Sequence, residues 1–138
     1  MKHITTSIIL SLSISAGFTA APTLALSQQQ PSAIVGSCPK YEAAFKKFGL
    51  PVKEFSKISY RESRCNPKSI SEVRKSTGRP DVGLVQISGS WATVTRNVCH
   101  VTYQQVIKAL TKVNCNLAVA AYLYKNGGLG HWKATSGK

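Results

Sequence analysis

Four cysteines limit how this chain of 138 residues can fold. They follow an apolar leader and stand at Cys38, Cys65, Cys99 and Cys115. No two of them have the Cys-x-x-Cys spacing of a zinc knuckle, and the histidines are scattered along the chain. An even number of cysteines outside the cytosol favours two disulfide bonds over a metal site. We therefore predict one small domain stabilised by two disulfides, and we expect neither a metal nor another cofactor.

The N-terminal segment has the layout of a secretory signal peptide. Basic residues precede an apolar run over residues 4–18, and small residues follow, with cleavage expected after Ala25 or Ala21. The alternative is an uncleaved membrane anchor, but the run is shorter than the roughly 20 apolar residues that cross a bilayer. We expect a secreted or periplasmic protein. Its predicted parts are a signal peptide over 1–25, a flexible lead-in over 26–37 and one domain over 38–138.

The chain is strongly basic, which indicates the charge of its partners. Lys and Arg total 18 against five acidic residues, for a formal net charge of +13. Such a protein is attracted to polyanions: nucleic acid, anionic lipid, or the anionic polymers of a bacterial wall. The sequence has no aromatic-interleaved basic motif of the nucleic-acid type. The charge therefore indicates an anionic partner and does not choose among these classes, although we expect no specific nucleic acid.

Helical periodicity covers most of the chain after Cys38. The predicted helices lie over 39–49, over 51–65, after a capping box formed by Thr102 and Gln105, and from about 114 to 128. The inner face predicted for the last helix consists of Leu117, Ala118, Ala121 and Tyr122. Residues 68–80 are polar, and 81–91 show short β-branched alternation broken by glycines. We predict a mainly α domain of the α+β class, with a small β-wing or irregular loop after the second helix.

Glu62 occupies an unusual position in the second predicted helix. Apolar and small residues at helical spacing put it on the buried stripe: Val52, Phe55, Ile58 and Ser59. Burial and the negative end of the helix dipole both raise the pKa of a carboxyl group in the last turn. A carboxyl that stays protonated can donate its proton to a leaving oxygen. The alternative is a rim glutamate paired with Arg61 or Arg64, which would lower its pKa.

Asp81 is the second carboxylate that bears on function. Glycoside hydrolysis commonly uses one protonated and one ionised carboxyl group on either side of the bond. Asp81 lies in a glycine-rich polar segment close in sequence to Arg79, where we expect it to remain ionised. The alternative is a turn role, because Asp after Pro80 and before Gly83 is typical of turns.

Two segments together resemble a known signature. The sequence 60-YRESRCNP-67, followed by 81-DVGLVQISGSW-91, is similar to the lysozyme superfamily, in which Glu-Ser at a helix end precedes Gly-Leu-x-Gln-Ile. The resemblance is greatest to bacterial lytic transglycosylase and lysozyme-like domains, and it extends through 97–124 and 120–132. It implies a lysozyme-like α+β fold and cleavage of the β-1,4 bond between N-acetylmuramic acid and N-acetylglucosamine in peptidoglycan.

The resemblance also implies roles for individual residues. Glu62 matches the catalytic acid, and Asp81 lies where animal-type lysozymes have their second carboxylate. Lytic transglycosylases use one glutamate and form an anhydro product, so Asp81 favours hydrolysis while both reactions stay open. The implied substrate-binding residues are Ser63, Gln86, Trp91, Tyr122, Asn126 and Trp132.

Several of these roles have alternatives. Gln86 could instead satisfy backbone groups where its segment turns, and Tyr122 or either tryptophan could fill the core. Leu123 departs from the family's Ala-Tyr-Asn, so Tyr124 or Asn126 could replace Tyr122 beside the acid.

Cysteine pairing and the rival functions complete the expectations. Cys99 and Cys115 are similar to a disulfide pair of animal-type lysozymes, which leaves Cys38 to pair with Cys65. His131 is expected at the surface or in the groove. The rival function is a non-catalytic cationic protein with a lysozyme-like fold that binds cell walls or membranes, and a weaker one is nucleic-acid binding.

Overall fold

The computed structural model describes residues 36–136 of the chain. Its α-helices are α1 Glu42–Lys47, α2 Val52–Ser63, α3 Ala92–Cys99, α4 Val106–Leu110, α5 Val113–Gly127 and α6 Lys133–Ser136. Two short antiparallel strands, β1 Asp81–Val82 and β2 Ile87–Ser88, pair Asp81 with Ser88 and Val82 with Ile87. Four 3₁₀ turns occur at Pro39–Tyr41, Gly89–Trp91, Tyr103–Gln105 and Gly128–Trp132. The predicted mainly helical α+β class is confirmed.

The leader lies outside the residues that the structure describes. The predicted signal peptide over 1–25 and nearly all of the lead-in over 26–37 belong to that part of the chain, so both remain predictions. Within 36–136, no helix is long and apolar enough to cross a membrane.

Helix α2 begins and ends where its sequence indicates. Pro51 precedes its first turn, and the chain leaves the helix through Arg64 and Cys65, whose φ angles are 54° and 62°. Two consecutive residues in the left-handed region turn the backbone sharply. The next residue, Asn66, precedes a proline and is thereby disfavoured in a helix. The last turn of α2, with Glu62, is therefore held at a fixed place beside the loop that follows.

The hydrophobic core lies between α1, α2, α5 and the β1–β2 segment. The Phe55 ring packs between Phe45 and Trp132, with ring centroids at 6.3 Å and 5.0 Å. Leu84, Val85 and other apolar residues of the β segment are fully buried in the same cluster. The core thus brings α2, which carries Glu62, against the segment that carries Asp81.

The prediction for the inner face of α5 is wrong at Tyr122. The buried residues of this helix are Asn116, Leu117, Val119, Ala120 and Leu123, whereas the Tyr122 side chain is 46% exposed. Apolar residues surround most of α5, so periodicity did not fix which face turns inward. The hydrogen bonds of one polar residue, Asn116, fix the face that turns inward.

Asn116 joins α5 to the β1–β2 turn. Its Nδ2 donates to the carbonyl oxygens of Val82 and Leu110 at 2.9 Å and 3.1 Å, and its Oδ1 accepts from the Val85 N–H at 3.0 Å. Gly83 stands against this contact with φ +86°, and a Cβ there would lie 2.3 Å from the Asn116 Nδ2. The turn therefore depends on a glycine and on a fully buried asparagine.

Both expected disulfides are present. Cys38 pairs with Cys65 and Cys99 pairs with Cys115, across sequence separations of 27 and 16 residues. The first joins the start of the described chain to the end of α2, and the second joins α3 to α5. The expected capping box is also present, because the Thr102 N–H donates to Gln105 Oε1 at 2.9 Å.

Candidate active site

Glu62 lies half-buried in the last turn of α2 and holds a raised pKa. Burial of the carboxyl group is the largest cause, and the negative charge of Asp81 adds to it. Two groups oppose the rise in pKa: a hydrogen bond from Thr135 and, more weakly, the positive charge of Arg74. The net result favours the protonated carboxyl group, which is the form able to donate a proton.

The arginines next to Glu62 have other partners. Arg61 donates from Nη1 to the Thr135 carbonyl oxygen at 2.7 Å. The Arg64 guanidinium stacks on the Tyr60 ring, 4.6 Å from its centroid. Within residues 36–136, no ion pair joins Glu62 to either arginine. The arrangement therefore departs from the alternative of a rim glutamate neutralised by Arg61 or Arg64.

Asp81 is a buried strand residue held by an arginine. Its side chain is 7% exposed, and its Oδ2 accepts from Arg74 Nε at 2.6 Å and also from Arg74 Nη2. Its backbone N–H donates to Ser71 Oγ at 2.8 Å. The other carboxylate oxygen, Oδ1, is buried without a hydrogen-bond partner among the described residues. Asp81 thus has a strand and ion-pair role rather than the turn role considered from the sequence.

A polar groove of about 190 Å³ opens beside Asp81. Its lining residues are Arg74, Ser76, Thr77, Asp81, Gln86, Ile87, Ser88, Trp91, Leu123, His131 and Trp132. Glu62 is not part of this lining. It is linked to the groove through its charge interactions with Asp81 and Arg74, and through Thr135, which follows Trp132 by three residues.

The structure brings three of the predicted binding residues to this groove. Trp91 is 36% exposed and meets His131 edge-on, with ring centroids 5.5 Å apart. Trp132 is mostly core: it is 4% exposed, and its Nε1 donates to the Val85 carbonyl oxygen at 2.9 Å. Gln86 lines the groove, and its Nε2 donates to the carbonyl oxygens of Ser69 and Gly83, which is the expected backbone role; its contact with a saccharide remains a prediction. His131 lies in the groove, one of the two expected positions.

Ser63, Tyr122 and Asn126 lie away from the groove. The Ser63 hydroxyl is buried and donates to the carbonyl oxygens of Leu84, at 2.7 Å, and Ser59, so it supports the β segment instead of facing a ligand. Tyr122 lines a separate surface depression, and Asn126 donates to the Tyr122 carbonyl oxygen at the end of α5. Tyr124 packs edge-on against Phe55 at 5.8 Å. Ser63, Tyr122 and Asn126 are thus absent from the lining of this groove, and their substrate-binding roles remain predictions.

Two residues of this site were not identified from the sequence. Arg74 belongs to a run of charged residues that looks like an exposed loop, and its side chain is 61% exposed even in the ion pair. Thr135 lies in a short polar segment near the end of the described chain, where no periodicity or motif marks it. Thr135 reaches Glu62 across 73 residues, and Arg74 reaches Asp81 through the fold of the loop between them, so local periodicity marks neither contact.

No cluster of three or more metal-ligating side chains occurs within residues 36–136. The site combines a half-buried carboxyl group with a raised pKa, an ion-paired carboxylate, and a groove with a partly exposed indole. This combination suits proton transfer to a bound sugar.

Comparison with known proteins points to one family. The family model described as Transglycosylase SLT domain matches residues 40–128. No curated protein and no solved structure matches.

Proposed function

Because this chain belongs to the transglycosylase SLT domain family, we propose that it is a lytic transglycosylase in which Glu62 alone transfers the protons. The family consists of lysozyme-like glycosidases that cleave peptidoglycan, and the predicted resemblance to the lysozyme superfamily is confirmed. The identity of the acid and the type of product are the parts that we propose.

The half-buried position of Glu62 in the last turn of α2 is the observation that carries the first part. The carboxyl group lies at the end of α2, and burial is the largest cause of the rise in its pKa. In the proposed first step, the Glu62 carboxyl gives its proton to the oxygen of the glycosidic bond. The bond from that oxygen to C1 of the muramic acid then breaks, and N-acetylglucosamine leaves with a new hydroxyl.

The ion pair of Asp81 favours the one-carboxylate reaction. A carboxylate that attacks C1 or activates water needs an accessible oxygen, whereas Asp81 Oδ2 is bound by Arg74 and Asp81 Oδ1 is buried. We therefore propose that the muramic acid's own hydroxyl attacks C1. Its proton returns to the Glu62 carboxylate, which regenerates the acid and leaves an anhydro product. In this proposal Asp81 tunes Glu62 by its charge and takes no covalent part.

The groove beside Asp81 suits the glycan strand. The exposed face of Trp91 offers a flat surface for a sugar ring, and Gln86 and His131 add polar groups to the lining. The net charge of +13 suits binding to the anionic polymers of a cell wall. We propose these residues as substrate contacts, with the protein acting as a monomer.

Export fits this substrate. Peptidoglycan lies outside the cytoplasmic membrane, and both disulfides of the described domain are typical of oxidising compartments. We propose that residues 1–25 are a signal peptide and that the mature protein is periplasmic or secreted.

The test compares variants on purified peptidoglycan. Glu62→Gln keeps the shape of the side chain but holds no transferable proton at neutral pH, so we expect at least about a hundredfold loss in rate. Glu72→Gln is the matched control, because Glu72 is an exposed glutamate of the polar loop. Retention of wall cleavage by the Glu62 variant would overturn the assignment. Binding or killing that survives this substitution but collapses at high salt would favour the rival function, a non-catalytic cationic protein.

A further inference from the structure

Helix α6 connects the end of the described chain to Glu62. It follows the Gly128–Trp132 turn, and it lies outside residues 40–128, which the family model matches. Thr135 in this helix donates from Oγ1 to Glu62 Oε1 at 2.5 Å. The same hydroxyl lies 3.4 Å from the Trp132 carbonyl oxygen, a much longer contact, so Glu62 is its main partner.

Thr135 is itself fixed by a second bond. Its carbonyl oxygen accepts from Arg61 Nη1 at 2.7 Å. Two consecutive residues of α2, Arg61 and Glu62, therefore hold the backbone and the side chain of one threonine. The bond from Arg61 therefore anchors the backbone of Thr135 to the helix that carries the acid.

We propose that Thr135 is a positioning residue for Glu62, holding Oε1 so that the other carboxyl oxygen, Oε2, faces the substrate. The proposal rests on the proposed function of Glu62. Within residues 36–136, the Thr135 hydroxyl is the group that donates a hydrogen bond to the Glu62 carboxyl group, and it binds Oε1 only. A carboxyl group with one oxygen fixed has a defined direction for its proton, which a long glutamate side chain otherwise lacks.

A hydroxyl suits a group that must change its protonation state during the reaction. It donates to the carboxylate after the proton has left, and it can accept when the carboxyl is protonated. A one-carboxylate mechanism needs both states, because Glu62 gives a proton and then takes one back. The hydrogen bond of Thr135 lowers the pKa of Glu62, against the effect of burial. It therefore stabilises the ionised form that Glu62 takes after giving its proton.

The charges near Glu62 stay unchanged when the hydroxyl alone is removed. Those that act on its pKa belong to Asp81 of β1 and Arg74 of the preceding loop, and Arg61 of α2 binds the Thr135 backbone. The substitution Thr135→Val therefore tests the hydrogen bond without altering a charge. Thr135→Ser keeps the hydroxyl, and Thr111→Val removes a hydroxyl that binds the Lys108 carbonyl oxygen at 2.7 Å, away from the groove.

The experiment measures pH–rate profiles of the full chain on peptidoglycan. For Thr135→Val we expect an alkaline limb displaced to higher pH and a loss in kcat of about tenfold, the effect of one hydrogen bond to a charged group. Thr135→Ser should restore the wild-type profile, and Thr111→Val should match it throughout. A carbon-13 NMR titration of the Glu62 carboxyl measures the same displacement without turnover, so it still decides if Thr135→Val has little activity.

The outcomes separate this inference from the proposed function. If Glu62→Gln is inactive while Thr135→Val keeps both the wild-type profile and the wild-type titration, the positioning role is wrong and the acid stands. If Thr135→Val and Thr135→Ser lose activity equally with no displaced limb, Thr135 has only a packing role. If Glu62→Gln stays active, the assignment of the acid fails first, and the positioning role fails with it.

Discussion

Asn116 offers the most direct way to test how the fold positions the site. Its side chain is fully buried and supplies partners to three backbone groups, in Val82, Val85 and Leu110. Removal of the amide eliminates all three of these buried hydrogen bonds. Each hydrogen bond contributes about 1 kcal/mol net, so we expect Asn116→Ala to lower the free energy of unfolding by about 3 kcal/mol.

The assay is equilibrium urea unfolding followed by tryptophan fluorescence, with the disulfides intact. Asn116→Leu separates hydrogen bonding from cavity formation, because leucine fills a similar volume yet binds none of the three groups. We expect it to lose nearly as much stability as the alanine variant. Asn114→Ala is the control, since Asn114 is exposed on the same helix, and its effect should stay within about 0.5 kcal/mol. A stability of Asn116→Leu within about 1 kcal/mol of the wild type would refute this account of the turn.

Three further results follow from the same structure. Gly83→Ala should cost at least about 3 kcal/mol, measured by thermal unfolding, because the new Cβ would overlap Asn116; Gly49→Ala, which also has a positive φ but open space, should cost about 1 kcal/mol. The raised pKa of Glu62 means that the folded state binds this proton more tightly than the unfolded state, and the stability so gained is lost as the pH rises through the folded pKa. In urea titrations, the free energy of unfolding of Glu62→Gln should therefore increase relative to that of the wild type as the pH rises through this range. A difference between the two that does not change with pH would contradict the burial of the acid. Replacing Cys38 and Cys65 by serine should remove about 3.5 kcal/mol in the chain-entropy model for a separation of 27 residues, and a loss below about 1 kcal/mol in the same titrations would contradict it.

Local sequence signals located the helix that carries the proposed acid. Pro51 and the apolar spacing from Val52 to Ile58 set the start and the buried side of α2, and both depend on residues a few positions apart. Such signals are reliable because helix geometry relates near neighbours directly. They also gave Glu62 its partly buried position, which is the origin of its raised pKa.

The contacts that tune the site form only in the folded chain, across 7 residues for Arg74 and Asp81 and across 73 for Thr135 and Glu62. Arg74 and Thr135 are polar residues in polar surroundings, and only the folded chain shows that they meet Asp81 and Glu62. Asn116 is a similar case, because an asparagine near the start of a predicted helix resembles a helix boundary until its three partners are known. The error at Tyr122 has the same origin: local apolar spacing left two faces of α5 nearly equivalent, and Asn116 decided between them.

The central claim is that one glutamate cleaves the glycan without water as the acceptor. Its most direct test is mass analysis of the products that the wild-type enzyme releases from peptidoglycan in water enriched in oxygen-18. We predict anhydro-muramic acid ends that carry no oxygen-18. Reducing muramic acid ends labelled with oxygen-18 would show that water attacks C1, and would return Asp81 to the catalytic role that the sequence favoured.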